Sequence, residues 1–269
     1  MFPLDYGFVH GTDFSTKNNS GHIGSSLDGY NSYLFIEDHT TWYTWRFLST
    51  DKSPPLSILP QFLSLHGNQT ESHCILWDNK GRKLWKSNAS QQVAQTAGHL
   101  LESTAADAPF QNHVAKHQNS TLGQIMFCLL HSTRLVSLYW SFALQHTVYY
   151  KNSLPHSATN KTLLKLCTGV CPSGMQHLIF RCCIFAHHPG DIPAKLDYHM
   201  SHGILLRYTA TATNVYYQDI NTKGIKIATH DTFNKANMSF ADPDIPDLSY
   251  NIYVHRSFWQ YYWIFHCHS

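Results

Sequence analysis

Asp5 and Asp78 are the acidic residues whose placement could support phosphoryl transfer. The first lies near the end of an early strand pattern; the second closes the short apolar run Cys74-Ile75-Leu76-Trp77 where it meets Asp78-Asn79-Lys80-Gly81. A helix with a polar N-terminal half follows, from about Pro109 to Ser132. Mg²⁺ prefers oxygen ligands, and two ions roughly 3.5–4 Å apart must be held by carboxylates converging from different elements, which this layout could supply. An aspartate at a strand end is also the ordinary choice for a turn or cap, so spacing leaves both readings open.

Lys80, Arg82, Lys83 and Lys86 form a basic cluster beside Asp78. A phosphate backbone could lie against it, or it could be a solvated loop. Trp42, Trp45, Trp77 and Trp140 could stack bases, although a tryptophan inside a strand or helix is ordinarily core. Cys167-x3-Cys171, then Cys182-Cys183, His187-His188 and His266-Cys267-His268, raise a zinc hypothesis. The first pair fits the usual ligand spacing. Cys182, however, falls in a strand pattern, and zinc is set aside. No nucleophile elbow supports Ser-His-Asp chemistry.

The elements that must position these residues are legible in places. Tyr30 to Ile36 and Trp42 to Leu48 are aromatic and β-branched runs joined by the polar stretch Glu37-Asp38-His39-Thr40-Thr41, which predicts a hairpin. Pro54 and Pro55 stand where a helix reaching His66 can begin. Leu122, Ile125, Met126, Leu129 and Leu130 recur at helical spacing. A second helix, from about Val136 to Tyr149, is expected to pack on the first as an antiparallel pair. Residues 153–177 lack periodicity and read as a connector. Short runs at Leu178–Phe185, Gly203–Tyr208, Asn214–Gln218 and Gly224–Thr229, with a turn at Asn221-Thr222-Lys223-Gly224, predict a small all-β module. Phe240 to Ser269 shows no clear pattern.

Composition bounds the answer. The 269 residues are 43% hydrophobic and 13% charged, with 19 basic and 17 acidic side chains giving +2, and with 20 histidines. A disordered chain, a collagen-like chain and a small disulfide scaffold are excluded. Seven cysteines and no secretory leader pattern predict reduced thiols in an intracellular compartment, so the N-x-S/T triplets at Asn68, Asn88 and Asn160 are set aside as glycosylation sites. The most apolar stretch, Ile125 to Val148, is broken by His131, Ser132, Arg134, Gln145 and His146, and no membrane segment is predicted.

In order along the chain, Asp5-Tyr6-Gly7-Phe8, Asp28-Gly29-Tyr30-Asn31-Ser32-Tyr33-Leu34-Phe35-Ile36-Glu37-Asp38 and Tyr43-Thr44-Trp45 resemble the opening strands of a copia-type (Pseudoviridae-like) retrotransposon integrase catalytic core. Trp77-Asp78-Asn79-Lys80-Gly81 is similar to that family's aspartate-bearing strand end. Asp107-Ala108-Pro109-Phe110-Gln111-Asn112-His113-Val114-Ala115 and Asn119-Ser120-Thr121-Leu122-Gly123 look like its final catalytic helix. Trp140-Ser141-Phe142-Ala143-Leu144 and Lys151-Asn152-Ser153-Leu154-Pro155-His156 match the segment that follows. His188-Pro189-Gly190, Ala194-Lys195-Leu196-Asp197, Gly203-Ile204-Leu205-Leu206 and Lys226-Ile227-Ala228-Thr229-His230 resemble the SH3-like domain that comes after the core in the same polyprotein.

The resemblance implies an α/β chain: an RNase-H-like core (mixed five-stranded sheet with flanking helices) over 1–152, a connector over 153–177, a small all-β SH3-like module over 178–239, and a tail over 240–269. It implies DNA as partner, nucleic-acid contacts from Lys80, Arg82, Lys83, Lys86 and Asn112, DNA integration by strand transfer, and two Mg²⁺ or Mn²⁺ ions held by three acids, with homo-oligomers and a nuclear location as in the family. Asp5 and Asp78 take the first two acidic positions, catalytic and metal-binding; the third falls on Lys116. A carboxylate-to-ammonium change is two charge units, and a unit pair at about 4 Å is worth about 4 kcal/mol at an effective dielectric of 20. The expectation is a degenerate site with inactive or weak strand transfer. The alternative is an active polynucleotidyl transferase using a substitute third carboxylate.

Overall fold

The structure is a computed structural model, and it describes residues 2–7, 24–51, 58–66, 75–78, 91–92, 95–96, 100–103, 113–157, 159–169, 178–187, 200–209, 214–228 and 231–234. The chain divides into one compact unit, Met1–Met238, and a second, Ser239–Ser269, which lies outside the described residues.

Two five-stranded sheets organise the first unit. The first comprises β1 (Phe2–Gly7), β2 (Ser32–Glu37), β3 (Thr44–Ser49), β4 (Ile75–Asp78) and β5 (Leu100–Ser103), in the order β3-β2-β1-β4-β5. It is mixed: β1, β2 and β3 pair antiparallel, whereas β4 runs parallel to β1 and β5 parallel to β4. β2 is buried along its whole length, because helices cover both faces. On one side α1 (Ile58–His66) buries Leu59, Phe62 and Leu63, with the Phe62 ring edge-on to Trp45 and Phe47. On the other lies α2 (His113–Ser132), which buries Leu122, Met126 and Leu130 at four-residue spacing and packs on β1 and β2.

The β2–β3 hairpin forms as its aromatic and β-branched residues predict, with one change. Glu37 is not part of the polar connection; it ends β2, is buried, and takes an ion pair from Lys151 at 3.0 Å. Asp38 makes the turn, accepting from the backbone N–H of Thr40 and Thr41 at 3.2 Å each.

After α2 a short 3₁₀ turn, Ser137–Tyr139, leads into α3 (Trp140–Ser153). Most of its length is buried, since α3 packs against α2 and β3 and also against β7 of the second sheet. The stretch read as a connector holds a helix, α4 (Leu163–Thr168), which six residues are too few to announce by periodicity. Thr162 caps it by accepting from Lys165 N–H at 3.2 Å, and Gly169 ends it in the left-handed conformation, φ 75°.

The second sheet is antiparallel throughout: β6 (Cys183–His187), β7 (Met200–Tyr208), β8 (Val215–Asp219), β9 (Ile225–Ala228) and β10 (Asp231–Asn234), in the order β10-β6-β7-β8-β9. Leu178, Cys182, Ile184, Ala186, Leu205, Tyr208, Val215, Tyr217 and Ala228 form its core, with Tyr149 and Tyr150 of α3 packed against it. The Asp219–Gly224 turn is closed by Asp219, which accepts from the N–H groups of Asn221 and Thr222 and pairs with Lys226 at 2.7 Å. Among the described residues no helix is long and apolar enough to cross a membrane.

Candidate active site

β1 and β4 lie side by side and run the same way, with Phe2 beside Leu76 and Pro3 beside Trp77. Asp78 ends β4, one residue beyond the Pro3–Trp77 pair, and Asp5 lies two residues beyond that pair on β1. The antiparallel register places Asp5 beside Phe35 of β2. Asp5 is half-buried, and its Oδ2 accepts a hydrogen bond from Asn119 Nδ2 at 2.7 Å. Asn119 Oδ1 in turn accepts from the Tyr33 hydroxyl at 2.8 Å. The three side chains come from β1, β2 and α2, so the polar N-terminal half of α2 is what meets the sheet.

The orientation of the amide follows from its partners: a carboxylate and a phenol hydroxyl leave only one consistent assignment, nitrogen to Asp5 and oxygen to Tyr33. Burial, reinforced by the Asp5 charge, pushes the Tyr33 phenol up to about 12, against a downward pull from Asn119. The hydroxyl thus stays protonated and remains a donor.

Lys116 is exposed on α2, three residues before Asn119 and so on the same side of the helix. Lys80, Arg82, Lys83, Lys86 and Asn112 lie outside the described residues, and of Asp78 only the backbone is described. Asn119 was within the sequence stretch that pointed to the helix, but a neutral amide carries no charge signal and nothing in its spacing marks it as the residue that meets Asp5.

The other candidates have ordinary surroundings. Trp140 is buried and donates to the Gly24 carbonyl at 3.0 Å, Trp45 packs on Phe62, and Trp42 stacks on the His156 ring at 4.2 Å. Cys182 is a core residue, and Cys183 lies 2.8 Å from His202 Nε2. Among the described residues no group of three or more His, Cys, Asp or Glu side chains could hold a metal ion.

No family model matches the sequence. Over 222 residues, 81% of this chain, it is 23% identical to the Retrovirus-related Pol polyprotein from transposon RE1 of Arabidopsis thaliana. The chain is a distant homologue of that polyprotein. It spans 15% of the polyprotein's length. Among solved structures, a chain of the simian T-cell lymphotropic virus intasome, determined in complex with PP2A regulatory subunit B56 gamma, is similar over 88% of this chain and 78% of that one, with TM-score 0.47 and 10% identity.

Proposed function

We propose that this chain is an integrase-core protein of retrotransposon origin that binds DNA and whose strand-transfer chemistry is impaired at the third acidic position, Lys116. The observation that carries the reading is the hydrogen bond from Asn119 to Asp5 at 2.7 Å. It docks the helix bearing Lys116 over the strand bearing Asp5, as a site assembled from both requires. In this reading the mixed sheet is the RNase-H-like core (1–152), residues 153–177 are the connector, the antiparallel sheet is the SH3-like module (178–239), and 240–269 is a tail.

Integrases use Mg²⁺, and the donor set here does not fit a two-ion site. Two ions need carboxylate oxygens from several elements. From α2, Asp5 receives an amide N–H, and an ammonium stands one turn away where the family has a carboxylate. Each 1.36 kcal/mol added to a barrier is a factor of ten in rate, so the loss of one metal-holding carboxylate, with a like-charged ammonium in its place, removes most of the activity. What the chain retains is phosphate-backbone binding by Lys80, Arg82, Lys83 and Lys86, with Asn112 on the approach to α2, and a nuclear site of action follows from that role.

The test pairs two measurements on the full chain. Duplex DNA binding at low salt should be present and fall steeply as salt rises, while strand transfer with Mg²⁺ or Mn²⁺ stays near background. Robust strand transfer would restore the active reading with a substitute third carboxylate. Absence of DNA binding at low salt would sink both.

A further inference from the structure

Trp42 and His156 stack beside the β2–β3 turn, with ring centroids 4.2 Å apart and planes 21° from parallel. The ring contact is ordinary; the backbone beneath it is not. Trp42 has φ 57°, in the left-handed region, where a Cβ crowds the next carbonyl and where hairpin loops usually carry glycine or asparagine. Arg134, Asn160, Arg181 and Lys223 share that region, but none of them is aromatic. Two hydrogen bonds hold Trp42 there: its N–H donates to the Asp38 carbonyl at 2.7 Å, and the Lys151 ammonium donates to the Trp42 carbonyl at 3.1 Å. A chain that needed only the turn would be better served by a small residue, so the strain points to a use for the indole itself.

The tryptophans differ in their surroundings. Trp140 is 1% exposed, and Trp45 meets the rings of both Tyr43 and Phe62 edge-on. Trp42 stands outside β3, is half-buried, and among the described residues meets a ring only in His156. A cation lies next to the stack. The His156 N–H donates to the Lys161 carbonyl at 2.9 Å, and Asn160 N–H to the His156 carbonyl at 2.8 Å, in a turn closed by the pairing of Pro155 with Thr162. Lys161 is exposed, and the ion pairs among the described residues are Lys151–Glu37 and Lys226–Asp219. Asp38, the acid nearest Trp42 in sequence, is taken up by its own turn, accepting from the N–H groups of Thr40 and Thr41 and from the Thr41 hydroxyl at 2.6 Å.

We propose that Trp42, backed by His156 and with Lys161 beside it, is a stacking platform for an unpaired base of single-stranded nucleic acid. Every base has a π face, so the stack is sequence-tolerant, and an adjacent ammonium suits the phosphate of the same strand. The platform rests on the nucleic-acid reading above and is independent of strand transfer, since Asp5, Asp78 and Lys116 take no part in it.

The experiment compares binding of a short homothymidine strand, an abasic strand of the same length and a duplex to the full chain at one low salt concentration. The strand with bases should bind about tenfold or more tighter than the abasic one. Trp42→Asn, which suits the left-handed turn, should abolish that preference without lowering the unfolding midpoint, and Trp42→Tyr, which keeps an aromatic face, should retain it. Lys161→Gln should weaken both single strands alike and flatten their salt dependence. Photocrosslinking of a bromouracil strand to the unmodified chain needs no variant and decides the question if Trp42→Asn fails to fold: an adduct on Trp42 is expected, and adducts confined to other residues overturn the proposal. A base preference unchanged in Trp42→Asn, or strand affinity unaltered in Lys161→Gln, also overturns it. So does equal binding of the two single strands, a result that leaves DNA binding standing if the duplex still binds and removes both readings if it does not.

Discussion

Asn119 Nδ2 lies 2.7 Å from Asp5 Oδ2, joining residues 114 positions apart in the sequence. Because the same amide takes the Tyr33 hydroxyl at 2.8 Å, one side chain ties α2 to two neighbouring strands. That contact fixes how far along the sheet the helix sits, and hence which α2 residues can face the Asp5 end of β1.

Asn119→Ala should therefore destabilise the fold although it deletes few atoms. It strips the hydrogen-bond partner from a half-buried carboxylate and from the Tyr33 phenol, a loss of about 1–3 kcal/mol. Urea unfolding of the variant beside Tyr33→Phe checks this. Asn119→Ala should cost more, since Tyr33→Phe removes one of the two bonds and leaves the bond to Asp5 in place.

Glu37 and Lys151 should behave as a coupled pair. Glu37 is buried, and the Lys151 ammonium reaches it at 3.0 Å while also donating to Thr44 Oγ1 at 2.6 Å and the Trp42 carbonyl at 3.1 Å. Burial pulls the Lys151 ammonium below its usual range despite the opposing pull of Glu37. Lys151→Met strands a buried carboxylate and should cost about 3–5 kcal/mol. The double variant Glu37→Gln/Lys151→Met should recover much of that loss, which a double-mutant cycle reads directly.

His146 should make the fold acid-sensitive. It is buried between the rings of Tyr150, Phe180 and Tyr208, and its Nδ1 has no partner. Burial depresses the imidazole to about 3, with a hydrogen bond to the Leu178 backbone opposing. The unfolded chain then holds one more proton than the folded chain between that value and an ordinary histidine pKa of about 6.5. Its contribution is complete above about pH 6.5 and is lost as the pH falls, at about 1.4 kcal/mol per pH unit. Stability measured from pH 7 to pH 4 in the unmodified chain and in His146→Phe should show that extra slope only in the former.

Gly203→Ala should also be costly. A Cβ there would lie 2.4 Å from Tyr217 Cδ2 and 2.6 Å from the Gln218 carbonyl oxygen, and the carbonyl belongs to the paired backbone of β8, which cannot yield without breaking the ladder. The expected loss is about 1–3 kcal/mol, checked by thermal unfolding.

Burial patterns were what the sequence made legible. Leu122, Met126 and Leu130 announce α2, and the aromatic runs around Phe35 and Phe47 announce the hairpin, because each repeats at the period of its element. Strands β5 and β10 have four residues each and α4 has six, too short for a period to emerge. Glu37 looked like loop because charge reads as exposure; only Lys151, brought from a distant helix, explains its burial. At the candidate site the sequence pointed to Asp5 and to the helix, but not to Asn119 as their link, since a polar residue on a polar helical stretch carries no pattern.

Lys116 decides whether the proposed chemistry survives, and strand transfer assayed with Mg²⁺ or Mn²⁺ on the unmodified chain and on Lys116→Glu tests this most directly. The predicted result is near-background transfer by the unmodified chain and a gain of about tenfold or more in the variant, the equivalent of at least 1.4 kcal/mol off the barrier. Robust transfer by the unmodified chain, left unchanged by the substitution, would contradict it.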